Sequence, residues 1–589
     1  MRGEAFWKKW RISYLFAAPY VLLFLVFTVI PVIISIVLSF TSYNMLQPPI
    51  WVGWNNYVKL LFADDIFLIA VKNTMLFASI TGPVSYFLCL ILAWFIHELR
   101  PMVRTFLTLL FYAPSISGNV FMIWTILFSG DAYGWVNGLL LRWGIIYEPV
   151  RWLTNPDTLM WVTILVTLWM SLGTSFLAFI AGLQGIDETL YEAGALDGVG
   201  NRWQELWFIT LPAMRPQLMF GAIMSITSSF AAGKNIVSLV GFPSTDYAGH
   251  TVITHLMDYG NIRFEMGYAA AMATLLFIIM VGTQRSRLRL RLRCSGLKGG
   301  KIVKLPLYRK RVTRSSGGDF AALVMLVILG AFMALPMVYV IGSAFKPLNE
   351  LFLFPPRFFV HNPTLDNFKD LAVLMADSWV PISRYFLNTL IITAFGTAGH
   401  VLLASLCAFA ISKHRFPGSR VIFSLIVLSL MFAPEVTAIP NYLTISFLGW
   451  IDSYSAVIVP AWASSLGLFL MKQFMDQMVP DSLLEAARID GASEFVVFWQ
   501  VAMPTVRPAW LTLIILSFQS LWGNTGSSFI YSENLKTLPY ALNQIVSGGI
   551  ARAGVGAAVA LVMMFVPITV FVINQRSVVQ TMGTSGLKE

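Results

Sequence analysis

One stretch of this sequence occurs twice, about half a chain apart. The first copy runs from Glu192 to Pro216 and reads EAGALDGVGNRWQELWFITLPAMRP, and the second runs from Glu485 to Pro508 and reads EAARIDGASEFVVFWQVAMPTVRP. Both contain Glu-Ala, an Asp-Gly pair, a later Pro and a closing Arg-Pro. The chain has 589 residues. A repeat at half-chain spacing predicts two homologous halves and constrains every later assignment.

The hydropathy of the chain places both halves in a membrane. Hydrophobic residues make up 57% of the sequence and charged residues only 12%, whereas soluble domains are about 25% charged. Residues 16–40 contain no charge, and about 20 apolar residues are enough for a helix to cross the bilayer. The sequence therefore predicts a polytopic membrane protein and excludes a soluble one.

The apolar runs predict an all-α fold with about 12 transmembrane helices, six in each half. Even numbers of spans give the two halves the same orientation, so the repeat is parallel, with a pseudo-twofold axis perpendicular to the membrane. We assign a first half at 1–284, a basic linker at 285–318 and a second half at 319–589. The predicted spans are about 14–40, 73–96, 105–128, 158–182, 217–240 and 264–283, then 320–345, 386–411, 421–445, 453–471, 509–530 and 554–575.

The positive charges orient these spans. The net charge is +11, and twelve of the 40 Lys and Arg residues lie between Arg285 and Arg314, where no acidic residue occurs. Nucleic-acid binding is one interpretation of such a run, but cytoplasmic loops of membrane proteins carry the same bias. We therefore expect no nucleic-acid partner, a cytoplasmic linker, both termini in the cytoplasm and both repeat copies on the cytoplasmic side.

Each repeat copy is predicted to form two short helices. Gly198 and Gly491 end the first helix, because glycine accepts the left-handed backbone that turns the chain. Candidate caps of the second helix are Asp197, Asp490 and Ser493, and Pro212 and Pro504 close the unit. The second helix carries the large rings Trp203, Trp207, Phe208, Phe495, Phe498 and Trp499.

Two roles fit such a unit. It is either an interfacial connector that covers its apolar face with lipid headgroups, or a docking element for a cytoplasmic partner. Repetition at the same topological place favours docking, since two identical partner subunits need two sockets.

The spacing Glu-Ala-Ala, Gly, then Pro resembles the signature loop (EAA loop) of ABC importer permeases. The first copy has Gly194 in place of the second Ala and one extra residue between Gly198 and Pro212. The resemblance assigns ATPase coupling to Glu192, Ala193, Asp197, Gly198 and Pro212, and to Glu485, Ala486, Ala487, Asp490, Gly491 and Pro504.

Further motifs extend the resemblance over nearly the whole chain. Residues 14–20, 53–57 and 72–74 are similar to the first permease of binding-protein-dependent sugar importers of the maltose-transporter type, and residues 384–389 and 408–418 to the second. The family normally has these as separate chains, whereas here they are joined.

The resemblance implies a permease component of a carbohydrate importer in a bacterial or archaeal cell membrane. Two copies of an ABC ATPase subunit would dock below it and bind ATP and Mg, and a solute-binding protein would deliver the sugar from outside. ATP-driven alternating access would then move the sugar. The chain itself would bind no cofactor and would be a transport subunit, not an enzyme.

The sequence contains no catalytic or metal motif that would contradict this reading. The string nearest to a Walker A motif, residues 296–301, has the wrong glycine spacing and no following Ser or Thr. No His-Glu-x-x-His or paired-Cys pattern occurs, so we expect no catalytic and no metal site. Cys89 and Cys407 lie in apolar runs and are predicted to be small core residues.

Substrate contacts are predicted in the fifth span of each half. The candidates are Ser229, Phe230, Asn235, Gln519, Trp522 and Asn524. Hydroxyls and amides beside aromatic rings suit a sugar, although small hydroxyl residues also pack transmembrane helices together. His400, inside a span, is expected to be packed and hydrogen-bonded. The residues do not identify the sugar.

The alternative is a 12-helix secondary transporter that uses an ion gradient, since twelve spans in two parallel halves also fit that class. Such carriers usually need ionisable groups within their spans, and this chain has few, chiefly His400. A carrier also has no use for a repeated docking loop. Both readings stay open on the sequence alone, with a membrane-bound enzyme a distant third.

Overall fold

The computed structural model describes residues 2–580 apart from 118–122, 133, 232, 296–315, 352, 354–356, 377–379, 415, 433 and 547–552. Helices dominate this part of the chain, and its strands are a two-residue antiparallel pair, β1 (Thr41–Ser42) and β2 (Ile50–Trp51), in which Thr41 pairs with Trp51. The predicted all-α fold is confirmed. The central part of the predicted linker lies outside the described residues.

The first half contains sixteen α-helices in the described residues. They are α1 (Arg2–Phe24), α2 (Ile30–Leu38), α3 (Asn55–Phe62), α4 (Asp65–His97), α5 (Pro101–Ile116), α6 (Ile123–Leu127), α7 (Trp135–Arg142), α8 (Pro156–Met170), α9 (Thr174–Gln184), α10 (Glu188–Leu196), α11 (Arg202–Glu205), α12 (Leu211–Ala213), α13 (Arg215–Phe230), α14 (Gly233–Val240), α15 (Val252–Met257) and α16 (Met266–Ser295). Short π-helical turns lie at Leu25–Val29, Leu206–Thr210 and Asp258–Ile262, and a 3₁₀ turn at Thr245–Tyr247.

The second half repeats this order, with fourteen α-helices in the described residues. They are α17 (Ser316–Phe345), α18 (Leu348–Leu351), α19 (Asp366–Ala376), α20 (Ile382–Phe409), α21 (Ser419–Ser429), α22 (Pro434–Phe447), α23 (Ser455–Trp462), α24 (Ser465–Met478), α25 (Asp481–Ile489), α26 (Glu494–Val496), α27 (Met503–Thr505), α28 (Arg507–Trp522), α29 (Leu538–Val546) and α30 (Ala553–Gln580). π-helical turns lie at Ala410–His414 and Val497–Ala502, and a 3₁₀ turn at Glu533–Leu535.

Eight helical segments of the described chain are long and apolar enough to cross a bilayer. They are Trp10–Leu38, Asp65–His97, Pro156–Gln184, Met266–Thr283, Phe320–Phe345, Ile382–His414, Ser455–Met478 and Ala553–Asn574. These match predicted spans 1, 2, 4 and 6 of each half. A ninth candidate is the bent pair Glu494–Thr505 and Arg507–Trp522, whose two parts meet at 81°.

Predicted spans 3 and 5 consist of short helices in both halves, and span 5 of the first half is divided between α13 and α14. The helices of span 5, α13 and α28, have 16 residues each, or about 24 Å at 1.5 Å per residue, against a hydrocarbon core of about 30 Å. In span 3, α5 ends at Ile116, and the second half turns at 430–432 between α21 and α22. Interrupted backbone at membrane depth is tolerated only where protein or a water-filled cavity surrounds it, which places these spans in the interior.

Hydrogen bonds join these short helices across the two halves. The Tyr112 hydroxyl at the end of α5 donates to Oε1 of Gln519 on α28 at 2.7 Å, and Nε2 of Gln519 donates to the Ser115 carbonyl at 2.7 Å. In the reciprocal position, the Thr227 hydroxyl on α13 donates to the Leu430 carbonyl at 3.0 Å. Span 3 of each half therefore meets span 5 of the other.

The first span of each half also lies on the opposite half. The Tyr20 hydroxyl on α1 donates to the carbonyls of Ala463 and Ser464, at 3.2 and 3.1 Å. In return, Nε1 of Trp169 donates to the Met333 carbonyl on α17 at 3.1 Å. Each half thus completes the packing of the other.

An Asn-Thr pair near the start of α4 fixes the loop that precedes α15. The Asn73 side-chain amide donates to the carbonyls of Tyr247 and His250, at 2.9 and 3.0 Å. The Thr74 hydroxyl accepts from the Val252 amide at 2.9 Å. Both bonds satisfy backbone groups at a chain turn, where helical partners are missing.

The second half repeats the same clamp. The Asn388 side-chain amide donates to the carbonyls of Asn534 and Lys536, at 2.8 and 2.9 Å, and the Thr389 hydroxyl accepts from the Leu538 amide at 2.8 Å. Matching contacts at matching sequence positions support the parallel repeat at the level of single hydrogen bonds.

A buried chain of polar side chains lies beside the first clamp. Nε2 of His250 is 2.9 Å from Nδ1 of His255, and Nε2 of His255 is 3.0 Å from Oδ2 of Asp64. The Tyr268 hydroxyl donates to the same carboxylate oxygen at 2.7 Å. Burial, together with the neighbouring His255, lowers the pKa of His250 to about 4.

This cluster predicts a loss of stability in mild acid. The unfolded chain takes up a proton at His250 near pH 6.5, while the folded chain resists it until about pH 4. Above pH 6.5 His250 is neutral in both states and does not lower the free energy of unfolding. As the pH falls from 6.5 towards 4, only the unfolded chain gains the proton, and the free energy of unfolding decreases, by about 2 kcal/mol at pH 5. Thermal unfolding of the detergent-solubilised protein at pH 7 and pH 5 measures it.

His250→Asn should make the unfolding temperature less dependent on pH over this range. His361→Asn, which removes an exposed histidine, is the matched control and should leave the dependence unchanged. The same pH dependence in all three proteins would contradict the assignment.

Candidate functional site

The first helix of each repeat copy ends in the same way. Gly198 and Gly491 adopt φ of +94° and +84°, a conformation that side chains with a Cβ disfavour. In the second copy the Ala492 amide donates back to the Ala487 carbonyl at 3.0 Å, and the equivalent bond of the first copy has the same length. This is the helix end that a left-handed glycine stabilises, as the sequence predicts.

The second helix of each copy is capped differently from the prediction. Asp197 and Asp490 close the C-terminal end of the first helix instead, so their assignment as caps of the second helix is wrong. Asn201 and Ser493 are the caps, each accepting from the amide three residues later. The assignment of Ser493 is confirmed. The extra residue of the first copy falls here, and it shifts the cap one place along the chain.

The glycine that replaces alanine in the first copy has a steric reason. A Cβ at Gly194 would lie 2.5 Å from Cδ1 of Ile209, closer than real Cβ atoms come. The second copy has Val501 at the position of Ile209, and valine lacks a Cδ1 atom, so Ala487 fits. The first copy thus lacks the Cβ at residue 194 and has one more carbon at residue 209, so the two differences compensate each other.

Both copies expose large apolar side chains at equivalent positions. We call these six residues the docking faces: Leu196, Trp203 and Trp207 in the first copy, and Ile489, Phe495 and Trp499 in the second. Leu196 and Ile489 are 89% and 86% exposed. Large exposed apolar side chains that recur in this way mark an interaction surface. Phe498, one of the six rings predicted on the second helix, is instead fully buried and is not part of a docking face.

The other predicted coupling residues are accessible too. Side chains or backbone are exposed at Glu192, Ala193, Asp197, Gly198 and Pro212, and at Glu485, Ala486, Asp490, Gly491 and Pro504, while Ala487 is half-buried. A π-helical turn precedes each proline. In the second copy the chain then bends by 81° into α28.

Both copies lie at the same end of the helical bundle. Nε2 of Gln217, two residues into α13, donates to Oε1 of Gln477 at the end of α24, at 2.6 Å. The first copy leads directly into α13 and the second follows directly after α24. Sequence reasoning missed this pair, because each glutamine finds its partner only in the other half.

Three of the predicted substrate residues pack helices. The Ser229 hydroxyl donates to the Ile226 carbonyl at 2.8 Å, and a Cβ at Gly82 on α4 would lie 3.2 Å from its oxygen. Phe230 is buried in the apolar core. Trp522 is 2% exposed, and its Nε1 donates to the Met563 carbonyl at 3.2 Å.

The other three occupy different environments. Gln519 joins the two halves, as described above. Asn524 is exposed, and its Oδ1 accepts from the Gly526 amide at 2.8 Å. Asn235 is half-buried on α14. Substrate contact by these residues stays a prediction.

The remaining buried groups have structural partners. Nδ1 of His400 is 3.1 Å from the Ser517 hydroxyl, and Nε2 is 3.3 Å from the Ser464 carbonyl, in the packed arrangement that the sequence predicts. Cys89 and Cys407 are buried, also as predicted. Among the described residues, no three His, Cys, Asp or Glu side chains come together as a metal site.

Two parallel repeats of membrane helices, with discontinuous helices in their interior, are typical of the transmembrane components of transporters. The chain belongs to the family described as binding-protein-dependent transport system inner membrane component, whose model matches residues 66–293 and 326–582. It is therefore a multi-pass membrane protein and a transport subunit of an ABC importer, not an enzyme. Permeases of this family work with an ATPase and a solute-binding protein.

Relatives match about half of this chain each. The probable ABC transporter permease protein YesP of Bacillus subtilis (strain 168) is 32% identical over 46% of this chain and 86% of its own length. The arabinooligosaccharides transport system permease protein AraP of the same organism is 30% identical over 47% and 88%. The lactose transport system permease protein LacF of Rhizobium radiobacter is 31% identical over 46% and 89%.

Two solved structures of alginate ABC transporters also resemble the chain, at 22% sequence identity. One, described as involved in the import of the acidic polysaccharide alginate, covers 45% of this chain and 97% of its own, with a TM-score of 0.38. The other, in complex with an alginate pentasaccharide-bound periplasmic protein, covers 49% and 98%, with a TM-score of 0.41.

The left-handed glycines provide a test of the loops. Gly198→Val and Gly491→Val should each strain the backbone by about 1–2 kcal/mol, although a Cβ meets no atom within 4 Å at either place. The loop then loses its shape while the protein still inserts, and substrate uptake per ATP hydrolysed should fall by about tenfold. Reconstituted uptake and ATPase assays measure this ratio.

Gly144→Val is the matched control. Gly144 has φ of +68° and the same open surroundings, but it lies outside both loops. Its replacement should leave the uptake ratio unchanged. Normal coupling in both loop variants would refute the role of the loops.

Proposed function

We propose that the chain supplies both permease halves of a carbohydrate importer. The family match sets aside the ion-coupled carrier. Two relatives are named for arabinooligosaccharides and for lactose, which supports a sugar or oligosaccharide as the substrate of this chain. The observation that carries the mechanism is the pair of docking faces, exposed at equivalent positions on loops at one end of the bundle.

Each loop receives one copy of an ABC ATPase subunit. The exposed first helix, with Glu192 or Glu485 on its surface, enters the ATPase, and the left-handed glycine sets the angle to the second helix. A loop of fixed shape transmits the closing of the ATPase pair as a rigid movement. ATP and Mg bind to the ATPase subunits and not to this chain.

The two halves move against each other at the interface of the interrupted spans. The Gln217–Gln477 bond holds that interface at the loop end, and Gln519 bonds to Tyr112 and Ser115 further along the same spans. A path for a polar solute opens between the halves when these contacts rearrange. We assign sugar contact to Gln519 first, because its amide lies at this interface.

The chain is oriented with its loops in the cytoplasm. Tyr14 and Phe16, near the start of the span Trp10–Leu38, contact Phe416 and Phe498 at the loop end of the second half. The N-terminus therefore shares the side of the loops, and the basic segment Arg285–Arg314 belongs to the same side. Both termini then lie in the cytoplasm, and a solute-binding protein delivers the sugar to the opposite face.

Reconstitution tests this function. In proteoliposomes with the co-purified ABC ATPase and the solute-binding protein encoded beside the gene, labelled oligosaccharide should accumulate only when ATP is present. The chain alone should hydrolyse no ATP. Uptake driven by an ion gradient without ATP, or ATP hydrolysis by the isolated chain, would overturn the proposal.

A ligand screen on the same binding protein identifies the substrate. Neutral mono- and oligosaccharides should raise its unfolding temperature, and amino acids at the same concentration should not. A response to amino acids alone would contradict carbohydrate transport while leaving the importer class intact.

Cutting the linker tests how the halves are held. A protease site at Gly299 should give two fragments that co-purify and retain uptake after cleavage, because the first span of each half packs on the other. An uncleaved chain treated with inactive protease is the control. Separation of the fragments would show that the interface depends on the covalent join.

A further inference from the structure

The first helix of the chain contacts the second repeat loop, which belongs to the other half. The Ser13 hydroxyl is 2.8 Å from Nδ1 of His414, and Nε2 of His414 is 3.2 Å from Oε2 of Glu494. Glu494 is the first residue of the loop's second helix. Ser13 and Nδ1 of His414 form a hydrogen bond, whereas Nε2 faces the carboxylate at ion-pair distance without hydrogen-bond geometry. A chain of three side chains thus links α1 to the loop.

Aromatic packing reinforces this link. The ring of Phe16 on α1 lies 6.0 Å from that of Phe498 and 6.2 Å from that of Phe409, between ring centroids. Phe498 in turn contacts Trp499 of the docking face at 5.4 Å. Phe16 therefore supports the second docking face from its buried side.

Glu494 also determines the shape of the loop itself. Nε and Nη2 of Arg488, on the first helix, donate to its two carboxylate oxygens at 2.7 and 3.1 Å. This bidentate pair holds the two loop helices together, with defined geometry. His414 contacts the same carboxylate from the side of the membrane domain, so α1, which is bonded to His414, lies against the carboxylate that joins the two loop helices.

The first loop is held differently. Arg202 follows the cap Asn201 just as Glu494 follows Ser493, and it pairs with Glu98, so the charges are reversed. Trp203 also packs on Trp94, with ring centroids 5.2 Å apart. Both partners come from the first half. Among the described residues, Arg202 and Trp203 meet these partners of the first half, whereas the second loop also contacts α1 of the other half.

We propose that α1, through Ser13 and Phe16, positions the second docking face, so that the first half controls the ATPase subunit bound to the second half. Ser13 and Phe16 are positioning residues, since they touch neither ATPase nor substrate. The proposal rests on the proposed function of the loops, and it predicts that changes at Ser13 or Phe16 affect the second docking face and not the first.

Cross-linking from equivalent positions on the two docking faces tests whether changes in α1 affect only the second face. Leu196→Cys and Ile489→Cys place thiols of matched exposure on the two docking faces, in a chain carrying Cys294→Ser, whose remaining Cys89 and Cys407 are buried. Each should cross-link to the co-purified ABC ATPase. Adding Phe16→Ala should lower the yield at position 489 by about tenfold and leave the yield at position 196 unchanged. Phe16→Leu, which keeps most of the apolar volume, should restore it.

Ser13→Ala gives the same readout without a large core deletion. It removes one hydrogen bond, so the yield at position 489 should fall by about threefold, together with uptake per ATP hydrolysed. Ser35→Ala, another buried serine of the same span, is the matched control and should change neither. If Phe16→Ala does not insert, the comparison of Ser13→Ala with Ser35→Ala decides the question.

The cross-linking yields distinguish a failure of the positioning role from a failure of the docking function. Equal losses at positions 196 and 489, or no loss at 489 in an inserted Ser13→Ala or Phe16→Ala protein, would overturn the positioning role. If the chain without these two changes cross-links at neither position, the docking function itself is wrong. A selective loss at 489 supports the proposal.

Discussion

The architecture depends on one constraint: every backbone polar group at membrane depth needs a partner within the protein. The fifth spans, α13 and α28, are too short to cross alone, and the third spans end or turn early. Such segments are stable only in the interior, where the other half covers them. Gln519 shows how this is achieved, because its amide bonds to the Tyr112 hydroxyl and the Ser115 carbonyl of the opposite half.

Contacts between the first span of each half and the other half explain why the two halves form one unit. Tyr20 on α1 bonds to carbonyls of the second half, and Trp169 bonds to α17 in return. Side chains therefore connect the halves at the periphery as well as in the interior. A covalent linker between halves that already exchange their first helices adds proximity and does not need to supply the interface.

The two loops have diverged in compensated pairs. Ile209 accompanies Gly194, and the shorter Val501 accompanies Ala487, so both loops keep the same fold with different side chains. The charge of the residue after the cap is reversed between the copies, since Arg202 pairs with Glu98 and Glu494 pairs with Arg488. Each loop is therefore matched to its own surroundings, and placing the second loop in the first half would bring Glu494 close to Glu98.

The sequence by itself determined the membrane class, the all-α parallel repeat and the glycine-terminated loops, because these follow from composition and from local spacing, and its loop motifs carried the resemblance to the family. Its apolar runs also located eight of the long spans. It did not show that spans 3 and 5 stop early, that Asn201 caps the second loop helix, or that Phe230 and Trp522 are packed in the core. Only the tertiary structure decided these points, because they depend on contacts between residues far apart in the chain, and a local pattern carries no information about which distant partner satisfies a given polar group.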